Sequence, residues 1–397
     1  FIYLQTMRII TRTVWILSLV SLFTDAASEM LYPVMPLYLK SIGFSVFLIG
    51  VLEGMAEAVA GLSKGYFGRL SDQNGIRVPF VRWGYALSAV SKPMMAMFVW
   101  PVWVFAARTV DRLGKGLRTG ARDAMLSDEA TRETKGKIFG FHRSMDTLGA
   151  VVGPSVALIY LFYMPEDYKN LFFLALIPGL FAVFATFLLK DTDDRRTVTF
   201  TNTSFFTSLR YLREGPMMYR RVIYGLLIFT LVNSSDVFLL LKARETGLDD
   251  TAVIGVYIFY NLIYALFAFP AGILGDKLGI RLVLSCGLVV YAMVYFGMSM
   301  AGSSLAVVVL FFLYGVYGAA TEGLSKAWIS NITPREETAT AIGTYSGLQS
   351  ICAFLASSLT GAIWMVAGAN AAFMTTAFMA LGVAIYLFFF TEDPSEK

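Results

Sequence analysis

Long apolar runs recur from one end of this chain to the other, and few folds can accommodate them. Crossing the hydrocarbon layer takes about 20 residues of helix. Runs of that size lie at 14–39, 45–70, 79–99, 101–122, 137–163, 170–190, 221–242, 251–274, 281–301, 304–328, 338–366 and 371–391. Inside hydrocarbon each backbone amide must be satisfied within its own segment, so the runs are read as helices. Of the 397 residues, 57% are apolar and 15% charged, with a mean hydropathy of +0.64. A soluble domain carries about 25% charged residues. The expectation is an all-α polytopic membrane protein with about twelve transmembrane helices.

An even number of crossings puts both termini on one side, and the basic residues choose that side. Arg8 and Arg12 precede the first run; Arg69, Arg77 and Arg82 flank the connection after the second. Arg118, Arg122, Arg132, Lys135 and Lys137 flank the one after the fourth, and Arg195, Arg196, Arg210, Arg213, Arg220 and Arg221 lie in the middle of the chain. The alternate connections, near Gly43, Trp100-Pro101, Gly302-Ser303 and Gly368-Ala369, are short and almost uncharged. Lys and Arg accumulate in cytoplasmic loops. Both termini and the central linker are therefore expected in the cytoplasm. These loops account for the net charge of +4 better than a nucleic-acid surface does. No cleavable signal peptide is apparent, since the first apolar run is long and holds Asp25 and Glu29; Met7 is read as the natural start. Cys286 and Cys352 stand alone in apolar runs and are expected to be free, buried thiols.

The interval from Asp191 to Tyr219 is the one long polar stretch, and it divides the runs six and six. The expected organisation is a tail at 1–13, a six-helix bundle at 14–190, a linker at 191–219 with a surface helix around Phe205–Arg213, a second bundle at 220–391 and a tail at 392–397. The halves also repeat a motif. Gly68-Arg-Leu-Ser-Asp72-Gln-Asn-Gly75-Ile-Arg77 follows the second run, and Gly272-Ile-Leu-Gly-Asp276-Lys-Leu-Gly279-Ile-Arg281 follows the eighth. Both read G-x-L-[SG]-D-x-x-G-I-R. Two copies at matching positions point to duplicated, pseudo-symmetric bundles.

With these motifs the chain resembles the major facilitator superfamily of secondary transporters over nearly all of its length. The Gly68 and Gly272 copies are similar to that family's gating-loop signature, with Ile76 and Ile280 where a basic residue is usual. The resemblance implies that Arg77 clamps Asp72 together with Asp123 or Asp128. Arg112-Leu-Gly-Lys115-Gly116 looks like the family's fourth-helix motif, whose Arg is linked to proton transfer in proton-coupled members. Gly140, Gly149, Gly153 and Pro154 match most of the fifth-helix motif of antiporters, with Ala157-Leu158 in place of its terminal glycines. The pattern also looks like a bacterial subgroup to which no substrate is assigned here.

Charges within a membrane span are costly and normally face a bundle interior, a partner or a water-filled cavity. On the fourth run, residues 108, 111, 112, 115, 118, 119 and 122 share a helical face. Arg108, Asp111, Arg112 and Lys115 are expected to line the transport route, and their excess of positive charge favours an anionic solute. The competing reading is mutual neutralisation with Asp25, Glu29 and Asp146. Asp25 with Glu29, and Glu53 with Glu57, are i,i+4 pairs suited to carrying protons or to fixed ion pairing. His142, the lone histidine, sits beside Arg143 and Asp146. It is read as a proton group or as a donor in a structural network.

The second half offers Asp236 and Asn261 as pocket residues, with Tyr345 and Gln349 and several tyrosines near them in sequence. Glu322 and Lys326 are an i,i+4 pair at a helix end. The expected pocket set is Asp25, Arg108, Arg112, Asp236, Asn261, Tyr345 and Gln349. Gly149, Gly153 and Pro154 form a bend or a close-contact seam.

The leading function is proton-coupled secondary transport of a small polar or charged solute by alternating access, with export by antiport. Its alternatives are proton symport importing an anionic metabolite or iron chelate, and an uncoupled facilitator or receptor. The expected partners are the solute, protons and the lipid bilayer. Nothing requires a partner subunit or a cofactor, and one His without a Cys pair does not make a dedicated transition-metal site. An enzyme is not expected: no G-x-x-x-x-G-K-[ST] loop and no hydrolytic triad stands out.

Overall fold

The structure is a computed structural model that describes residues 10–32, 34–44, 46–191, 207–248 and 250–391. Among the described residues the regular structure is helical, with no strand. In the first half of the chain lie α1 (Arg12–Glu29), α2 (Met35–Ser41), α3 (Val46–Asn74), α4 (Val78–Met97), α5 (Pro101–Asp128), α6 (Lys135–Tyr163), α7 (Tyr168–Leu174) and α8 (Leu176–Thr186). The linker contributes α9 (Thr207–Glu214). The second half has α10 (Met217–Thr230), α11 (Val237–Glu245), α12 (Asp250–Leu278), α13 (Ile280–Met300), α14 (Ser304–Asn331), a 3-10 turn at Arg335–Glu337 and α15 (Thr338–Phe390). These helices account for the twelve apolar runs. Six helical stretches among the described residues are long and apolar enough to cross a membrane by length and composition, the last being Arg335–Phe390. The remaining spans are shortened by a break or carry charges along their length.

The breaks follow local chemistry. The seventh run divides because Asn233-Ser234-Ser235-Asp236 competes with the helical ladder. Asn233 Nδ2 donates to the Tyr317 hydroxyl at 3.1 Å, and the Ser235 backbone N–H donates to Ser357 Oγ at 3.1 Å. The last two runs form α15, interrupted at Gly368, whose φ of 86° needs a residue without a Cβ. At the turn between α6 and α7, Tyr160 and then Asn170 donate hydrogen bonds to Asp167 and hold its carboxyl below the usual carboxylate range.

The described residues form two compact units. The first takes those of Phe1–Ala130, Met145–Glu214 and Pro334–Gly347; the second takes those of Thr131–Ser144, Gly215–Thr333 and Leu348–Lys397. The start of α6 thus belongs to the second unit, and the start of α15 to the first. In the first unit α5 packs on α3 and α4, and α8 packs on α1 and α4. In the second, α14 packs on α12 and α13.

Lipid tails are as apolar as a leucine, so helices in a bilayer associate through close van der Waals packing and hydrogen bonds. The α4–α5 crossing shows the first device. A Cβ on Gly84 would lie 2.7 Å from the Gly114 carbonyl oxygen, and one on Gly114 would lie 2.6 Å from that of Gly84. An apolar cluster that includes Met30, Leu39, Met95, Val104 and Phe172 fills the same unit, where the Tyr38 hydroxyl donates to the Met95 carbonyl at 2.9 Å.

Large apolar side chains such as Phe162 (78% exposed) and Met365 (83%) cover the outside. Both cysteines are free, but Cys286 is exposed and Cys352 half-buried, correcting the expectation of buried thiols. An apolar run does not by itself distinguish the outer face of a helix from the inner one.

Gly84→Ala is expected to lower the melting temperature in detergent, with a cost of about 1–3 kcal/mol for overpacking. Gly382→Ala, which meets nothing within 4 Å, should leave it unchanged or raise it.

Candidate functional site

Each copy of the repeated motif carries at its fifth position a carboxylate that accepts hydrogen bonds from the first turn of another helix. In the first unit Asp72 Oδ2 accepts from the Thr340 backbone N–H and hydroxyl, each at 2.7 Å. In the second, Asp276 accepts from the backbone N–H groups of Gly136 and Lys137, each at 2.7 Å. A negative charge at a helix N-terminus meets unpaired N–H groups and the positive end of the helix dipole. Gly75 and Gly279 have φ of 62° and 92°, the left-handed backbone that turns the chain away after each carboxylate.

Arg77 bridges Asp72 at 2.9 Å and Asp128 at 3.1 Å. Asp123, the other partner considered, is engaged by its neighbour Arg122. The Asp191 carboxylate accepts from the Arg77 and Val78 N–H groups at 2.8 and 2.9 Å, joining the end of the α8 segment to the start of α4. Arg281 instead donates to the Thr391 carbonyl at 3.0 Å and lies over Phe388. Gly68 packs on Ala339, and Gly272 on Gly136, so closely that a Cβ on either would strike a carbonyl oxygen.

Within the first unit a second set of charges gathers on Asp111. Lys92 Nζ is 3.7 Å from Oδ1, Arg108 is 3.7 Å from Oδ2 and Arg112 Nε is 4.0 Å from Oδ2. One carboxylate is therefore shared by three cations, none within ordinary hydrogen-bond length of it. Ser91 Oγ donates to Asp111 at 3.3 Å. Ser88 serves two cations: its carbonyl accepts from Lys92 at 2.9 Å and its hydroxyl from Arg118 at 2.6 Å. The Arg118 guanidinium also lies 4.5 Å above the Tyr85 ring. The expected charged face of α5 is thus divided. Arg108, Arg118, Thr119 and Arg122 are buried, Asp111 and Arg112 are half-buried, and Lys115 is exposed.

A third group joins α1, α5 and α6. Asp146 accepts from the Ser21 hydroxyl. Arg122 donates to Ser21 Oγ at 3.3 Å and meets Asp123 at 2.8 Å through both Nε and a terminal nitrogen. Asp25 lies one turn beyond Ser21. A Cβ on Gly149 would come within 3.0 Å of the Asp25 Cβ, and one on Gly153 within 2.7 Å of the Met30 nitrogen. Gly149, Gly153 and Pro154 therefore form a close seam against α1, and α6 runs on through Pro154. Glu29 is half-buried on α1. The side chains of Glu53 and Glu57, on α3, lie outside the described residues.

The second unit holds one carboxylate among tyrosines. Asp236, at the break before α11, accepts from the hydroxyls of Tyr260 and, at 2.6 Å, Tyr314. Tyr291 stacks on Tyr295 at 4.3 Å and packs against Tyr317 at 4.6 Å. Asn261 is buried and turned onto its own helix, donating to the Tyr257 carbonyl at 3.0 Å. Arg143 hydrogen-bonds the Tyr264 hydroxyl and pairs with Glu322 at 3.5 Å, with His142 buried on the same turn.

Of the expected pocket residues, Asp25, Arg108, Arg112 and Tyr345 belong to the first unit, and Asp236, Asn261 and Gln349 to the second. His142 and Arg143 belong to the second unit and Asp146 to the first. Sequence reasoning missed Lys92, Ser21 and Ser88. Lys92 was visible as the one charge between Trp83 and Phe105.

Two units of helices with a duplicated carboxylate loop and interior charges define a membrane transporter. The Major Facilitator Superfamily matches residues 17–259 and 237–397. An uncharacterised MFS-type transporter of Methanocaldococcus jannaschii is 30% identical over 365 residues, 90% of each chain. A multi-drug resistance efflux pump PmrA homolog of Lactococcus lactis is 25% identical over 338 residues, covering 79% of this chain and 78% of its own. The crystal structure of the human organic anion transporter MFSD10 superposes with a TM-score of 0.80 at 16% identity, over 95% of this chain and 99% of that one. The chain belongs to the Major Facilitator Superfamily. It is an integral membrane protein and a secondary transporter.

Asp72→Asn leaves Arg77 without its buried partner and weakens the hold on the first turn of α15. Breaking a buried ion pair costs about 3–5 kcal/mol. The variant is expected to unfold at a clearly lower temperature than wild type in detergent, and Asp128→Asn, whose side chain is 27% exposed, should fall less.

Proposed function

We propose that the chain is a proton-coupled secondary active transporter that moves a small polar or charged solute by alternating access and exports it in exchange for protons. The observation that carries the coupling is the enclosed carboxylate of Asp146, 5% exposed, bonded to Ser21, with Arg122 at the same hydroxyl. A proton on Asp146 removes a charge whose stability depends on Ser21 and Arg122. Any conformation that holds these partners differently has a different proton affinity, and that difference is what couples proton and solute. Asp25, across the Gly149 seam, is the second carboxylate of the pathway, with Glu29 and Arg112 as further relay groups.

Export is supported by the glycine pattern of α6 and by the efflux pump homolog among the relatives. Symport of an anionic metabolite or iron chelate is the second reading, favoured by the three cations gathered around Asp111. In either direction the Gly68–Arg77 and Gly272–Arg281 loops act as gates. The basic connections support placing both termini and the linker in the cytoplasm.

The test is proton flux in proteoliposomes carrying the purified chain, screened across solutes under an imposed pH gradient. Asp146→Asn and Asp25→Asn are each expected to cut solute-driven proton movement by about tenfold or more, the size of a coupling free energy of 1–3 kcal/mol, while downhill solute exchange persists. Proton flux untouched by both substitutions would leave an uncoupled facilitator. Solute efflux driven by inward protons identifies antiport; uptake driven by them identifies symport.

A further inference from the structure

The break between α10 and α11 carries an acid that does not do the local work open to it. Asp236 stands at the N-cap position of α11, where an Asp side chain commonly accepts the first N–H groups of its helix. Here it makes no such bond, and the Val237 N–H donates to Ser235 Oγ at 3.4 Å. The carboxylate turns instead to α12 and α14, accepting from the hydroxyls of Tyr260 and Tyr314. Both donors are neutral, and among the described residues Asp236 enters no ion pair. A carboxylate offers about four acceptor sites, so two hydroxyls leave capacity unused. Three residues earlier, Asn233 gives Nδ2 to Tyr317, while its Oδ1 is buried and meets no donor among the described residues. The rings of Tyr314 and Tyr317, with centres 5.4 Å apart, connect the two polar groups. Asn233 and Asp236 each keep part of their surface. A charge within an apolar run, facing other helices and turned from its own, has the placing of a functional group.

We infer that this break receives a protonated amine of the transported solute, with Asp236 as its counter-charge and Asn233 Oδ1 as a second acceptor. The inference rests on the transport reading above and narrows it to solutes that bear an amine. The unused capacity at the break is all acceptor, so the group that fits brings N–H donors and positive charge. The tyrosines favour the same ligand. An aromatic face attracts a cation, and Tyr260 and Tyr314, with ring centres 5.3 Å apart, both touch the carboxylate. A quaternary ammonium brings charge without N–H, so it meets Asp236 and the rings but gives Asn233 nothing. Preference for an amine over its trimethylated counterpart is therefore the mark of the site. Sodium offers its charge to the same oxygens, so the test includes it.

The purified full chain in neutral detergent and potassium chloride is titrated at about pH 7, where alkyl amines are protonated as lysine is, and at constant ionic strength. The probes are butylamine and benzylamine, their N-trimethyl counterparts, benzyl alcohol and sodium chloride, with thermal unfolding as the readout. At least one amine is expected to raise the melting temperature saturably, at a lower concentration than its trimethyl counterpart, while benzyl alcohol gives no saturable rise. Asp236→Asn should raise the half-saturating amine concentration by about tenfold to a hundredfold, the value of a charged hydrogen bond, and Asp236→Glu should restore part of it. A carboxylate that only held the tyrosines would lower the starting melting temperature and leave the half-saturating concentration where it was. Asn233→Ala should weaken amine binding by about twofold to tenfold and leave the trimethyl counterpart unchanged. If Asp236→Asn does not fold, this change of preference decides.

Wild type indifferent to both amines, a half-saturating concentration unmoved by Asp236→Asn, or a preference unmoved by Asn233→Ala overturns the inference. So does Asp236-dependent stabilisation by sodium with none by the amines, which assigns the break to an inorganic cation. Proton flux driven by an anionic or uncharged solute, with no amine binding, overturns this inference and leaves the transport reading standing. Asp236-dependent amine binding with no proton movement for any solute does the reverse.

Discussion

A charge taken out of water must find a counter-charge or hydrogen bonds close at hand, and in an apolar interior nothing else offsets the loss. That requirement arranges the inside of this molecule. Arg122 is satisfied by Asp123 beside it and by Ser21, Asp236 by two tyrosine hydroxyls, and Arg77 by two carboxylates. Asp111 is the contrasting case, with three cations around it at 3.7 to 4.0 Å. The first three groups are held at hydrogen-bond length; the Asp111 contacts are ion pairs at longer range.

The duplication adds economy. Asp72 and Asp276 meet the same kind of partner, backbone donors in the first turn of a helix. Around each, small residues let the helices touch through their backbones. Their surroundings have since diverged: Arg77 is held by carboxylates, whereas Arg281 reaches a carbonyl and an aromatic ring. The charged interior of the first unit and the tyrosine-lined Asp236 of the second are the same divergence on a larger scale.

The helical framework was legible because hydropathy over twenty residues is a strong signal and the paired motif marks the two halves. Finer features were not. The break at 231–236 disappears when hydropathy is averaged across it, and it emerges only once Asn233 and Asp236 find their tyrosines. The motif left Arg77 two partners, and the choice of Asp128 depended on Arg122 claiming Asp123. Lys92 is plain in the sequence, but its ion pair with Asp111 depends on α5 lying against α4, which no periodicity in either segment encodes. Cys286 sits on an outer face for the same reason: sequence gives the run, and packing gives the side.

The Asp72 contact also sets an order of assembly. Its acceptor oxygen waits for Thr340, 268 residues further along the chain, roughly 15 to 50 seconds of synthesis at about 5–20 residues per second. Asp276 meets partners 140 and 139 residues upstream, already made when it emerges. The first unit therefore stays incomplete until Gly215–Thr333 of the second has been made, and a nascent chain stalled short of Thr340 carries an Asp72 with Arg77 as its nearest company.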